Sequence, residues 1–138
     1  MRLHSEILRH NSHSRSFLEC HLVFVTKYRH KIIDNEIADF IDRCFHWVAH
    51  NIDVEIKEYK IDVDHCHLMV EYPPTLSIDK MVKRFKGASS FYLRKKFPHL
   101  NSIDHSTKAF WSIGYFVTSV GEDAEERIRR YILNHTSA

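Results

Sequence analysis

His65, Cys66 and His67 stand in the run Val63 to Pro74, VDHCHLMVEYPP, which reads as a strand stopped by two prolines. Side chains alternate along an extended chain, so His65, His67 and Met69 share one face while Cys66, Leu68 and Val70 share the other. Two neutral imidazoles on alternate residues of a rigid strand can reach one metal ion without bending the backbone. Asp62, three residues before His65, adds a hard oxygen donor that can swing toward the same ion. In a chain with 12 histidines the pattern also arises by chance, and the pair alone leaves a metal site and two ordinary polar-face histidines both open.

A second constellation lies at the end of the chain. Arg127, Tyr131 and His135 fall at i, i+4 and i+8 and share one helical face, while Ile128, Ile132 and Leu133 can anchor that helix on the protein. A tyrosine beside a metal ligand is a candidate covalent nucleophile toward phosphorus, because a phenol of pKa about 10 needs a nearby positive charge to attack. An amphipathic rim residue followed by a frayed terminus has the same spacing.

The elements that would hold these groups follow from periodicity. Phe17 to Lys27 is a first strand with Leu18, Cys20, Leu22 and Phe24 on its apolar face. Asp34 caps a helix whose stripe is Ile37, Phe40, Ile41, Cys44, Phe45 and Val48. Val54 to Ile61 and His65 to Tyr72 form a hairpin across Asp62-Val63-Asp64. Ser77 caps a second helix that buries Ile78, Met81, Val82, Phe85, Ser89 and Tyr92, and Pro98 ends it. After a polar loop from His99 to Lys108, AFWSIGYFVTSV is a fourth strand, and Gly121 leads into the terminal helix.

The order β-α-β-β-α-β plus a helix predicts an α+β, ferredoxin-like domain: one antiparallel sheet with two helices on one face. Its first and third strands are central neighbours, which gathers Glu19, His21, His65 and His67 on the face those helices leave open. His21 there can orient a metal ligand or simply be a satisfied polar residue. Residues 1–138 read as a single domain with a loose N-terminal segment over 1–15.

Composition narrows the class. A hydrophobic content of 43% with three Gly and three Pro excludes disorder and fibrous folds. No run reaches the roughly 18 apolar residues of a membrane span, which predicts a cytoplasmic protein with no membrane partner. Three cysteines without a CxxC pair suggest buried thiols rather than disulfides or a zinc site. The net charge is only +2, but Lys80, Lys83, Arg84, Lys86, Arg94, Lys95 and Lys96 form an acid-free basic tract, and Lys27, Arg29 and Lys31 surround Tyr28. Such clusters suit phosphate contacts and equally suit a solvated surface. Tyr28, Phe110 and Trp111 can stack on unpaired bases, or, for the last two, belong to the core.

Taken together, CHLVFVTKYRHKI, DHCHLMVEYPP, VKRFKGASS, FWSIGYFVTSVG and RRYILNH resemble the small HUH single-tyrosine transposases of bacterial and archaeal insertion sequences. The resemblance runs nearly end to end. It implies a transposase that cleaves and rejoins single-stranded DNA at hairpin-marked transposon ends through a 5′-phosphotyrosine on Tyr131, with Mg or Mn and no nucleotide cofactor. It implies metal ligation by His65 and His67. His135 stands where many members carry glutamine, and an imidazole can take that ligand's place. It further implies a homodimer whose active sites can be shared between subunits, and DNA contacts from Lys27, Tyr28, Arg29, Lys31, Lys83, Arg84 and Lys86. Two rivals remain at this stage: a domesticated relative acting on chromosomal repeat hairpins, and a non-catalytic ferredoxin-like module that binds single-stranded RNA. The second would place aromatics where this chain places histidines.

Overall fold

Residues rich in β-formers from Leu18 to Val25, and again from His65 to Tyr72, form the two central strands of the domain, with successive side chains on opposite faces. The computed structural model describes residues 8–102 and 109–135. In chain order the elements are β1 (Arg9–His10), β2 (Arg15–Ser16), β3 (Leu18–Val25), α1 (Asn35–Asn51), β4 (Glu55–Ile61), β5 (His65–Tyr72), α2 (Ile78–Lys96), β6 (Phe116–Ser119) and α3 (Ala124–Asn134). The main sheet has the order β4-β5-β3-β6, every neighbouring pair antiparallel. With α1 and α2 on one face it is the expected ferredoxin-like domain.

Both helices start where their caps require. Asp34 accepts a hydrogen bond from the Ile37 amide at 2.9 Å, and Ser77 accepts one from the Lys80 amide at 3.1 Å. Cys20, Leu22 and Phe24 of β3 and Cys66, Leu68 and Val70 of β5 face Ile37, Ile41, Phe45 and Val48 of α1 and Met81, Val82 and Phe85 of α2. All three cysteines are free and buried. Burial raises the Cys20 thiol to about 12 and the Cys44 thiol to about 11, so both stay protonated and inert at neutral pH.

Four details depart from the sequence reading. The fourth strand is short: only Phe116–Ser119 joins the sheet, while Trp111 makes an isolated bridge to Thr26. Packing drives this, because Phe110 and Trp111 turn into the helix-covered core, where the Trp111 indole donates to Ser89 Oγ at 2.8 Å and its ring lies against Phe24 and Phe45. Returning to the sheet requires a reversal that Gly114 supplies with φ +89°, a conformation L side chains resist. In α2 the buried stripe passes from Ser89 to Leu93, and Tyr92, one position off it, is 43% exposed.

The other two departures concern the open sheet face. α3 covers half of it, packing Ile128, Tyr131 and Ile132 on Val23, Val25 and Phe116, while Leu133 points away at 61% exposure. Within the segment expected to be loose, Arg9–His10 pairs with Arg15–Ser16 in a small hairpin. Arg9 pins it: its Nε donates to the buried Glu71 carboxylate at 2.6 Å, and Nη1 and Nη2 donate to the Asp53 side chain and carbonyl. Residues 1–7, and 103–108 of the predicted polar loop, lie outside the described residues.

The packing makes a contrast in stability testable. Phe45→Ala removes a ring in contact with Phe24, Phe85 and Trp111 and should cost about 3–5 kcal/mol, whereas Ile113→Ala at an 81% exposed tip should change stability by less than about 0.5 kcal/mol. Urea unfolding of the two variants measures both.

Candidate active site

The register between the central strands decides which side chains meet. β3 pairs with β5 so that Val25 lies opposite His65, Val23 opposite His67, and His21 opposite Met69. On the outer edges Lys60 of β4 joins the His67 position, and Phe116 and Thr118 of β6 join those of Val23 and His21. One transverse row therefore reads Lys60, His67, Val23, Phe116. Tyr131 stacks on Phe116 with ring centroids 5.1 Å apart, so the tyrosine stands over the row that begins near His67. From β5 to β6 is two strand spacings, roughly 10 Å.

The imidazoles are held by distinct partners. His21 Nδ1 and His67 Nε2 lie 2.7 Å apart and share one proton. His67 is pushed down to about 4 by burial first, then by the proximity of His21, His65 and Lys60; His21 is lowered by burial against the opposing pull of Glu58, Glu125 and Glu19. Both are therefore neutral at neutral pH, the form that binds metals. His65 Nδ1 donates to Asp64 Oδ1 at 2.9 Å, which makes Nε2 the acceptor nitrogen of the neutral ring. Burial alone would raise the Asp64 pKa, but hydrogen bonds from His65 and Arg29 outweigh it and hold the carboxyl below its ordinary range.

Two imidazoles on one strand face, His65 and His67, can fill two positions in the coordination sphere of a divalent ion. They do not complete it: among the described residues no three His, Cys, Asp or Glu side chains converge on a common metal position. Asp62 stays in its turn, where Oδ1 accepts from the Val63 amide at 2.7 Å. The His135 ring is engaged through Nε2 with Ser112 Oγ at 3.1 Å and lies 5.4 Å from the Tyr131 ring. Ser112 in turn donates its amide to Val25, the residue paired with His65. His135 thus sits on the same side of the sheet as His65, beyond β3.

Tyr131 is half-buried, and burial raises its pKa, so the phenol carries its proton at rest. A shallow cavity of about 490 Å³ elsewhere on the molecule lies between α1 and α2 and contains none of these groups. The groove beside the tyrosine holds about 460 Å³ and is lined by Phe116, Arg127, Arg130, Tyr131, Asn134 and His135. Two arginines at that opening suit a polyanion.

The basic residues separate into two groups. Lys83, Arg84 and Lys31 are exposed, as is Tyr28, and Lys27 Nζ sits 5.3 Å over the Tyr28 ring. Lys86 is half-buried and donates to the Ser112 and Gly114 carbonyls at 2.8 and 2.6 Å, clamping the loop before β6. Arg29 donates through Nε to Asp64 Oδ2 at 3.0 Å. Asp62, the carboxylate the sequence pattern points to, stays in its turn, and Asp64 is the one that reaches His65; its place next to a histidine of the pair is the only sign of this in the sequence.

A family model described as IS200-like transposase matches residues 14–135. The chain belongs to the IS200-like transposases. It is 30% identical over 115 residues to the ISDra2 transposase TnpA of Deinococcus radiodurans, covering 83% of this chain and 81% of that protein. It is also 30% identical over 121 residues to the transposase for insertion sequence element IS200 of Salmonella typhimurium, covering 88% and 78%. The crystal structure of a candidate transposase from Deinococcus radiodurans superposes with a TM-score of 0.87 at 31% identity, over 94% of this chain and 99% of that one. A REP-associated tyrosine transposase bound to a REP hairpin shares the fold at a TM-score of 0.58 and 10% identity, over 87% and 68%. The protein is thus a DNA transposase by family, and none of its described helices is long and apolar enough to cross a membrane.

The depressed His67 pKa sets a pH window for the metal-free transposase. Its unfolded-state value is about 6.5, so the unfolded chain binds a proton that the folded site refuses; stability is unaffected above about 6.5 and falls as pH drops toward 4. Discounted for partial exposure, the loss is about 1–2 kcal/mol. Thermal melts in EDTA should show this decline, and His67→Gln should flatten it.

Proposed function

We propose that this transposase cleaves and rejoins single-stranded DNA at hairpin-marked transposon ends, with Tyr131 as nucleophile. The observation that carries the reading is the shared sheet face: the helix bearing Tyr131 packs across β3 and β6 on the side where His65 and His67 emerge. Tyr131 Oη attacks the scissile phosphorus, an Oη–P bond forms and the P–O3′ bond breaks. The phenol gives up its proton and the departing oxygen gains one as the free 3′-OH, so the proton count is unchanged. Phosphodiester bond energy is retained in the tyrosyl ester, and a 3′-OH on another strand reverses the step without a nucleotide cofactor.

His65 and His67 would hold a divalent ion, Mg or Mn, with Asp62 and His135 as further donors once released from Val63 and Ser112. Bound there, the ion supplies positive charge toward the scissile phosphate. The incomplete donor set suits an enzyme that works as a homodimer in the cytoplasm, with a site completed by substrate and by the tyrosine helix of either subunit. Exposed Tyr28, Lys31, Lys83 and Arg84, together with half-buried Lys27, contact the hairpin. Arg29 and Lys86, already engaged inside the protein, serve that contact through the loops they hold.

Tyr131→Phe should abolish a covalent protein–DNA adduct with a labelled single-stranded transposon end while leaving hairpin affinity within about twofold; an adduct formed by the variant would remove Tyr131 as nucleophile. Lys83→Glu with Arg84→Glu should weaken hairpin binding and reduce the slope of log K against log salt by about 0.7–0.9 per lost contact. Lys86→Met should instead lower thermal stability and leave that slope unchanged, as fluorescence anisotropy across a salt series would reveal.

A further inference from the structure

Arg29 lies in a turn whose backbone is unusual. Tyr28 and Arg29 have φ of +56° and +55°, a left-handed pair that residues with a Cβ seldom adopt. The turn is built directly on Asp64: the Thr26 amide and hydroxyl donate to the Asp64 carbonyl at 3.0 and 3.2 Å, and Thr26 Oγ1 also reaches the His30 carbonyl at 2.7 Å. What this backbone achieves is the aim of one guanidinium. Its Nε donates to Asp64 Oδ2 at 3.0 Å, and its Nη1 donates to the His135 carbonyl, just past the end of α3, at 3.3 Å.

The far oxygen of the same carboxylate receives His65 Nδ1. An ionised carboxylate accepts only, so the contact selects the Nδ1–H tautomer and turns the Nε2 lone pair outward. Arg29 satisfies the second carboxylate oxygen, which keeps Asp64 from rotating away. The chain Arg29, Asp64, His65 is buried at its centre, with Asp64 5% exposed.

We infer that Arg29 and Asp64 are positioning residues of the transposition site: together they lock the His65 tautomer for metal binding, and through the same guanidinium they tie that histidine to the end of the helix carrying Tyr131. The inference rests on the metal reading of His65 and His67. It gives Arg29 a role different from a phosphate contact, and it explains why an arginine is needed where a lysine would carry the same charge. A lysine ammonium cannot present two donors in a fixed fork to Asp64 and His135 together.

The test begins on metal-free wild type, where long-range proton–nitrogen NMR of labelled histidine at pH 7.5 reads the tautomer directly. His65 is expected as Nδ1–H; an Nε2–H ring would overturn the inference whatever happens with metal. Asp64→Asn, whose amide can donate as well as accept, should mix the tautomers, and Mn binding by calorimetry should weaken about 10–100-fold. Arg29→Gln should do the same in smaller measure, and Arg29→Lys should recover part of the tautomer but not the contact to His135, seen as faster hydrogen exchange at residues 131–135. Circular dichroism confirms folding, and the Asp64→Asn result stands alone should Arg29→Gln not fold. Unchanged tautomer and Mn affinity in the variants would overturn the inference while leaving the metal reading intact. A wild type with the Nδ1–H tautomer but no Mn binding would overturn the metal reading and, with it, the purpose assigned to the pair. A fall in hairpin affinity and salt slope in Arg29→Gln, with the tautomer unmoved, would make Arg29 a phosphate contact instead.

Discussion

The antiparallel pairing of β3 with β5 is the constraint on which the rest of this transposase depends. Side chains repeat every two residues, so a slip of one would carry Cys66, Leu68 and Val70 out of the core and drive His65 and His67 into it. Three apolar side chains buried under α1 and α2 oppose that slip, and unpaired imidazoles in an apolar core oppose it again. The histidines owe their place on the free face to the hydrophobicity of their neighbours. Because β3 sits between β5 and β6, the same register carries Phe116, and Tyr131 on top of it, into the row of His67.

A second layer of control is electrostatic. His67 is neutral because it is partly buried beside another imidazole and near Lys60, and His65 is oriented because Asp64 is ionised. Both conditions draw mainly on groups outside the histidine pair. Asp64 is held by the turn at Thr26–His30, which follows β3, and His21 belongs to β3. β3 thus supplies the support for the histidines of β5. That division is consistent with a site in which the strand provides placement and a separate helix, α3, carries the proposed nucleophile Tyr131.

Much of this was legible in the sequence. The caps at Asp34 and Ser77, the stripe of α1, the stripe of α2 as far as Ser89 and the two faces of β3 and β5 are local signals that match the structure. The faces of His65, His67 and Tyr131 follow from period alone. What escaped depended on contacts between distant segments. Trp111 left the predicted strand because Ser89 and two phenylalanines offered it a buried site. The docking of α3 on Val23 and Val25, the Arg9 anchor on Glu71, and the turn of Lys86 and Arg29 toward the interior were hidden for the same reason. Charge composition gives the sign of a side chain and says nothing of which carbonyl or carboxylate it will find.

The central claim is that His65 and His67, presented by β5 on the face shared with Tyr131, form the metal position of the transposase. Its most direct test is an anomalous difference map from a crystal of the protein grown with Mn and a single-stranded transposon end. The account predicts one strong peak about 2.2 Å from an imidazole nitrogen of each histidine, on the side of the sheet that α3 covers. A peak seated elsewhere, or none under conditions where the same crystals support strand cleavage, would contradict it.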